Sequence, residues 1–457
     1  MNGNSQPRNS PYQGLIPYTE KDAVFFFGRE KDTRLITANF FASPLTILYG
    51  PSGVGKSSAL RAGAVHQLSQ RTDLTIIYNS DWKEDPLERL KTMLASLPNL
   101  VPAPDKNLPF TEFLTECTTR LGHRLMIVLD QFEEYFLYHP EEDEFTIQFS
   151  RAVMQTVAPV SFLISIREDG LAKLDRFEGR IPILFDNYLR LEHLDDAAAR
   201  SAIEKPIEKY NELYLEGKPA IQIEAGLVEE VLKQLKSGQV SLQQTGHGAI
   251  EQDASRMIET PYLQLVMERL WNQEIKLQSN LLRLTTLKSL GGAGKIVKTH
   301  LDAVMWRLKR SQRLLASRIF QYLVTPSGTK IALRVSDLAS YADSSPQKIQ
   351  PLLQRLTSQD IRLLRAVDTV NKNEMSYEIY HDVLALPILD WRVRYRRSRR
   401  IYLLISPILF LVALFIYSYS LSSGAGIELY LAIVALLTCL IPMIFGFLIG
   451  RGWARAR

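Results

Sequence analysis

Gly50-Pro51-Ser52-Gly53-Val54-Gly55-Lys56-Ser57-Ser58 lies between an apolar run at 45–49 and a helix-compatible run at 59–68. Gly50, Gly55, Lys56 and Ser57 meet the spacing G-x-x-x-x-G-K-[ST], so the stretch reads as a phosphate-binding P-loop. Glycine at these positions lets backbone N–H groups curl around phosphate oxygens with no Cβ in the way. The helix opening at Lys56 turns its positive end toward the same anion. Lys56 is placed to reach the β- and γ-phosphates and Ser57 to ligate magnesium, which makes Gly50 through Ser58 the expected cofactor-binding loop and ATP or ADP with magnesium the expected cofactors.

Outward from that loop, 74–78 reads as a second strand and 86–97 as a helix. Residues 124–130 form a short apolar run closed by Asp130, as expected of a buried parallel strand. A carboxylate at that strand end, beside a P-loop, is the Walker B layout, so Asp130 joins Ser57 as a metal candidate. The following Gln131-Phe132-Glu133-Glu134 offers a carboxylate to orient an attacking water, leaving Glu133 and Glu134 as alternatives for that catalytic role, or the acidic pair as a solvated helix start. Another apolar run at 160–166 ends at Arg167, a candidate γ-phosphate sensor where α/β sheets bind nucleotides. Its neighbours Glu168 and Asp169 equally allow a structural ion pair. With a strand at 188–191 the reading is an α/β fold: a five-stranded parallel sheet with helices on both faces.

Before the loop, residues 1–10 read as a disordered tail. Three consecutive aromatics, Phe25-Phe26-Phe27, then Gly28-Arg29-Glu30, are costly to expose. They pack either on an adenine ring or as a core staple. Charge is unevenly spread. Residues 391–457 hold nine Arg, no Lys and one acid, a net of +8, whereas residues 1–390 hold 45 basic and 48 acidic side chains, a net of −3. That balance argues against electrostatic nucleic-acid binding. Cys117 and Cys439 lie far apart, so neither a disulfide framework nor a cysteine metal site is supported, and the polar start lacks a signal-peptide core.

From Asp195 onward the pattern is mostly helical, with a polar loop at 236–255. Gly291-Gly292-Ala293-Gly294-Lys295 imitates a P-loop, but Ile296 replaces the hydroxyl residue, so it reads as a loop before a helix. Helices at 303–324, 335–341 and 346–358, then short strands at 361–367 and 375–380, predict a winged helix. Its expected recognition helix carries only Lys348 and Arg355, which disfavours DNA.

These residues together resemble the STAND class of signal-transducing NTPases, in particular its bacterial novel-STAND branch. The resemblance covers about residues 11–395. It rests on Pro11-Tyr12-Gln13-Gly14-Leu15, the Phe-Phe-Gly-Arg-Glu ending at Glu30, the P-loop, the acidic turn after Leu129, and Pro261-Tyr262-Leu263-Gln264-Leu265 with Leu270-Trp271. It implies that Phe27, Gly28 and Arg29 belong to the nucleotide site, that Pro261 packs near the adenine, and that Arg167 is the first sensor. It also implies that His381, in His381-Asp382, contacts the β-phosphate of ADP and locks a closed state.

The expected organisation is a tail at 1–10, a P-loop NTPase domain at 11–194, a helical lid at 195–300, a winged helix at 301–391 and a basic segment at 392–400. A departure from the family then follows: in place of a repeat array come two charge-free apolar stretches, 401–420 and 429–450, each long enough to span a bilayer. Arginines on both flanks, including the tail at 451–457, put both termini and the NTPase on the cytoplasmic side of a plasma (inner) membrane. The expectation is a membrane-anchored, slowly hydrolysing ATP switch for defence or stress signalling, closed with ADP and self-associating with ATP, answering to an unidentified sensor protein. A nucleotide-binding tether or scaffold is the alternative.

Overall fold

The computed structural model describes residues 10–155, 158–215, 219–236, 257–324, 330–358, 361, 363–368, 375–380, 384, 385 and 387–398. The central sheet has five strands: β1 (Leu45–Gly50), β2 (Leu74–Asn79), β3 (Arg124–Leu129), β4 (Val160–Arg167) and β5 (Tyr188–Arg190). Their order is β2-β3-β4-β1-β5, and every neighbouring pair is parallel. Alternation along each strand explains why both faces are covered. Ile127 and Leu129 of β3, with Phe162 and Ile164 of β4, face a core built on helices Pro86–Ala95, Phe110–Leu121 and Glu144–Met154. Met126, Val128 and Leu163 face the opposite core, with Ile36, Phe40, Leu60 and Ala64. The fold is thus the expected α/β P-loop NTPase sheet.

The P-loop ends β1 and runs into one helical rod made of Lys56–Ser58, Ala59–Val65 and His66–Leu68, the middle part wound with wider turns. Gly50 passes so close to the backbone that a Cβ there would lie 2.5 Å from the Leu191 carbonyl oxygen. Gly55, at φ +99°, starts the rod in the left-handed region that glycine tolerates best.

Helices Asp196–Tyr214, Leu227–Lys236, Thr260–Lys276, Leu284–Ser289 and Ala293–Trp306 follow, with a short parallel pair, β6 (Gln222–Ile223) and β7 (Leu281–Leu282). They share one core around Trp271, Leu263 and Val231. The glycine pair at 291–292 is a turn, both residues at positive φ, ahead of the helix that begins at Ala293. The helix expected over 303–324 is broken: one helix ends at Trp306 and the next, Arg310–Ile319, starts after an extended Lys309 whose N–H is capped by Gln312 Oε1 at 3.0 Å. Helices Val335–Tyr341 and Pro346–Thr357 come next. The two-stranded hairpin expected beyond them is a three-stranded antiparallel sheet, β8-β10-β9, of β8 (Leu333–Arg334), β9 (Leu364–Asp368) and β10 (Met375–Ile379).

Much of the polar loop expected at 236–255, His381, and both apolar stretches at 401–420 and 429–450 lie outside the described residues. Among the described residues no helix is long and apolar enough to cross a membrane.

Candidate functional site

One cavity of about 290 Å³ sits over the carboxyl ends of β1, β3 and β4, at the small end of the range that holds ligands. Its polar wall comprises Ser52, Gly53, Gly55, Lys56, Ser57, Asp130, Glu133 and Arg167. Its apolar wall comprises Ile16, Pro17, Phe25, Phe26, Phe27, Leu194 and Pro261. Lys330, Arg365 and Tyr380 also line it, so the P-loop sheet, the helices after Asp195 and the small sheet meet at one cavity.

On the polar side, Lys56 Nζ donates to the carbonyl oxygens of Gly50 at 2.8 Å and Pro51 at 3.1 Å, which folds the ammonium over its own loop. Burial pushes Lys56 below its ordinary value, while Glu133 and Asp130 work in the opposite sense. The two proposed metal-binding side chains meet at one tyrosine: the Tyr78 hydroxyl donates to Asp130 Oδ2 at 2.5 Å, with Ser57 near enough to act on its acidity. A hydroxyl and a carboxylate within reach of one tyrosine oxygen are the hard oxygen donors that magnesium takes, so the residues fit that ion. Tyr78 comes from the end of β2, beside β3 in parallel register, and burial with the Asp130 charge pushes its pKa far up. Among the described residues no group of three or more His, Cys, Asp or Glu side chains is arranged to hold a metal.

The acidic turn separates its two glutamates. Gln131 takes a left-handed φ of +54°, and the buried Phe132 N–H donates to Ser165 O at 2.9 Å. Glu133 therefore enters the cavity, where its Oε2 accepts the Arg167 N–H at 3.2 Å. Burial pushes the Glu133 carboxyl upward, partly countered by Lys56. That direction suits a general base. Glu134 does not line the cavity; its carboxylate pairs with Arg365 of β9. The Arg167 side chain lines the cavity and is held by Asp169 through Nε at 2.9 Å and Nη2 at 2.6 Å, while Glu168 goes to Arg190. The ion-pair reading of Arg167 is thus realised with Asp169, in a side chain that stands at the cavity wall.

The N-terminal segment builds the apolar side. Tyr18 N–H donates to Ser58 Oγ at 3.1 Å, and Glu20 takes a two-point bond from Arg61 at 3.1 and 2.8 Å, so the segment is fastened to the P-loop helix. All three phenylalanines line the cavity; Phe25 also packs with Tyr18 and Ala62. Gly28 is not in the wall; its φ is +86°, and a Cβ there would lie 2.3 Å from Ala198 O. Arg29 lines the cavity and is buried: Nη2 donates to Val54 O at 2.8 Å, and Nη1 donates to Glu192 O at 2.7 Å and Asp32 at 2.8 Å. Pro261 stands at the start of helix Thr260–Lys276, and Gln264 one turn on accepts from Tyr18 OH at 2.8 Å. Tyr78, Lys330, Arg365 and Tyr380 were not singled out by the sequence. Only Tyr78 left a trace, as the polar end of a strand.

A family model described as Novel STAND NTPase 1 matches residues 11–397. No curated protein matches the chain. Solved structures with similar coordinates include the Aeropyrum pernix ORC2 protein in ADPNP–ADP complexes, at 12% identity over 86% of this chain and 99% of that one, TM-score 0.44. The Walker-type ATPase of Pyrococcus abyssi aligns at 16% identity over 82% and 98%, TM-score 0.42. The Aeropyrum pernix ORC1 protein in complex with DNA aligns at 14% identity over 80% and 93%, TM-score 0.39.

Proposed function

The chain belongs to the novel STAND NTPase 1 family, and from that premise we propose that it is a nucleotide-driven switch that binds ADP or ATP with magnesium at the cavity above β1, β3 and β4. The observation that carries this reading is the composition of one wall set: Lys56 and Ser57, Asp130 and Glu133, Pro261, and Arg365 of the β8–β10 sheet all face the same space. A ligand there touches the P-loop sheet, the helices after Asp195 and the small sheet together. Ligands move a two-state protein only by the difference in affinity they have for the two states.

Within this reading Lys56 and the P-loop N–H groups bind the phosphates, and Ser57 and Asp130 hold magnesium. Magnesium bound there neutralises phosphate charge. Glu133 accepts a proton from, or aligns, the attacking water, and Arg167 contacts the terminal phosphate. The helices from Asp196 to Trp306 form the lid, and the helices and sheet from Arg310 to Ile379 form the winged helix, with His381 following Tyr380 of the cavity wall in the sequence. ADP favours a compact form and ATP an open, self-associating one. The segments 401–420 and 429–450 anchor the switch in a membrane, where clustering of tails serves bacterial defence or stress signalling. The test is the assembly state of the full chain in detergent with ADP and with a slowly hydrolysed ATP analogue. A larger assembly with the analogue supports the switch; identical assemblies with both nucleotides turn it into a static tether.

A further inference from the structure

Glu134, Arg365, Glu378 and Lys330 form a chain of ions between the acidic turn and the small sheet. Arg365 Nη2 pairs with Glu134, its Nε with Glu378 of β10, and its Nη1 approaches Gln131 Oε1 at 3.4 Å. Lys330 Nζ holds Glu378 at 2.9 Å. Two cations and two anions leave the cluster formally neutral. The side chains of Glu134 and Glu378 are only 12% and 6% exposed, so losing the cation leaves a carboxylate where water scarcely reaches. Burial alone would lower the Arg365 pKa; Glu134 and Glu378 reverse that and raise it.

The sequence position of Glu134 gives the pair its consequence. Glu133, one residue earlier, enters the nucleotide cavity, and both follow Phe132, which is fixed by its bond to Ser165 O and by packing against Trp82 and Tyr135. With the turn pinned at Phe132, the grip on Glu134 sets the direction in which Glu133 leaves the backbone. We propose that Arg365 is a positioning residue of the nucleotide site, contributed by the small sheet: through Glu134 it aims Glu133 and seats the sheet on the NTPase core, making aim and seating one coupled equilibrium. The proposal rests on the nucleotide-switch reading and adds the contact that links the two parts. Coupling is reciprocal, so a nucleotide that shifts the acidic turn loosens the sheet by the free energy with which a loosened sheet shifts the turn.

The experiment uses the full chain and six variants: Glu134→Gln, Arg365→Gln, the double variant, Glu378→Gln, Arg365→Lys and Lys56→Ala. Glu134→Gln keeps shape and removes only the charge across the contact, leaving Arg365 with Glu378. Hydrogen exchange over 363–368 and 375–380 reads the seating, and kcat against KM reads the aim. Glu134→Gln and Arg365→Gln are each expected to speed exchange about tenfold or more, with the double variant no faster than the worse single one. Both should lower kcat severalfold with KM little changed, and Arg365→Lys should restore part of the loss. Fast exchange in Arg365→Gln and Glu378→Gln but not in Glu134→Gln would show that Arg365 only staples its own sheet, and overturns the proposal. ADP affinity measured on the same samples keeps the premises apart: binding present in the unmodified chain and lost in Lys56→Ala upholds the nucleotide site even where the exchange result removes the latch.

Discussion

Arg29 Nη2 donates to the carbonyl oxygen of Val54 at 2.8 Å, tying the residue before helix Glu30–Ala42 to the crest of the phosphate loop. With Asp32 and Glu192 O on its other arm, the guanidinium makes three bonds in a buried setting. Arg29→Ala is expected to lower stability by about 2–4 kcal/mol, because bonds to a charged donor are lost and buried acceptors are left unpaired. Nucleotide affinity should fall with it as the loop loosens. Chemical denaturation and a fluorescent-nucleotide titration measure the two; unchanged affinity in a destabilised variant would limit Arg29 to folding.

Lys56→Ala removes the ammonium that stands over the loop. A charge-assisted bond of about 1.5–3 kcal/mol predicts roughly a ten- to hundredfold loss of ATP affinity. Equilibrium dialysis with radiolabelled ATP reads it directly, and undiminished binding would remove the P-loop assignment.

Glu133→Gln is expected to bind ATP normally and hydrolyse it about 10²–10⁴ times more slowly, as for loss of a general base. Glu134→Gln should cost no more than about tenfold, since that side chain acts through position alone. Single-turnover phosphate release compares them, and the reverse ranking would move the catalytic carboxylate to Glu134.

Tyr78→Phe takes away the hydroxyl that bonds Asp130 beside Ser57. Loss of such a supporting bond raises the magnesium needed for half-maximal ATP binding by about tenfold or more. Binding measured across a magnesium series with ADP and ATP tests it; a shift equal to that of a metal-independent control ligand would argue against a metal role.

Burial, with help from Arg29, Arg190 and Lys56, pushes His193 down to about 4 from an ordinary 6.5, and its Nδ1 has no hydrogen-bond partner among the described residues. The folded chain keeps this ring neutral while the unfolded chain protonates it below 6.5. The stabilising contribution is complete above pH 6.5 and is lost as pH falls toward 4, about 3 kcal/mol over that interval. Urea midpoints at pH 7 and pH 5 show the slope, which His193→Asn should flatten.

The sheet and the phosphate loop were legible in the sequence because their constraints are local. Ile127 and Leu129 alternate with Met126 and Val128 inside one short run, and glycine spacing is imposed by backbone geometry alone. Glu133 and Glu134 could not be told apart, since the rotation that separates them comes from the positive φ of Gln131 and the bond from Phe132 to Ser165. Arg365 was invisible for another reason. Its link to Gln131 spans 234 positions, and nothing in the alternation of a short edge strand marks an arginine that turns toward another core. The break at Lys309 was missed because the residues around it all suit a helix, and tertiary packing decided otherwise.

The cavity is completed by a chain segment that is made first and satisfied last. Tyr12 OH reaches Ile203 O, 191 positions away, and Gln13 N–H reaches Gln264, 251 positions away. At about 5–20 residues per second, a ribosome needs roughly ten to fifty seconds to deliver Gln264 after Gln13 has emerged. Through that interval Tyr12 and Tyr18 stand without the helix Thr260–Lys276, whose Trp271 and Gln264 they meet in the finished fold. A message cut short before codon 264 would therefore yield a sticky fragment in need of a chaperone, and the cost of interrupted translation falls on the very segment that closes the finished site.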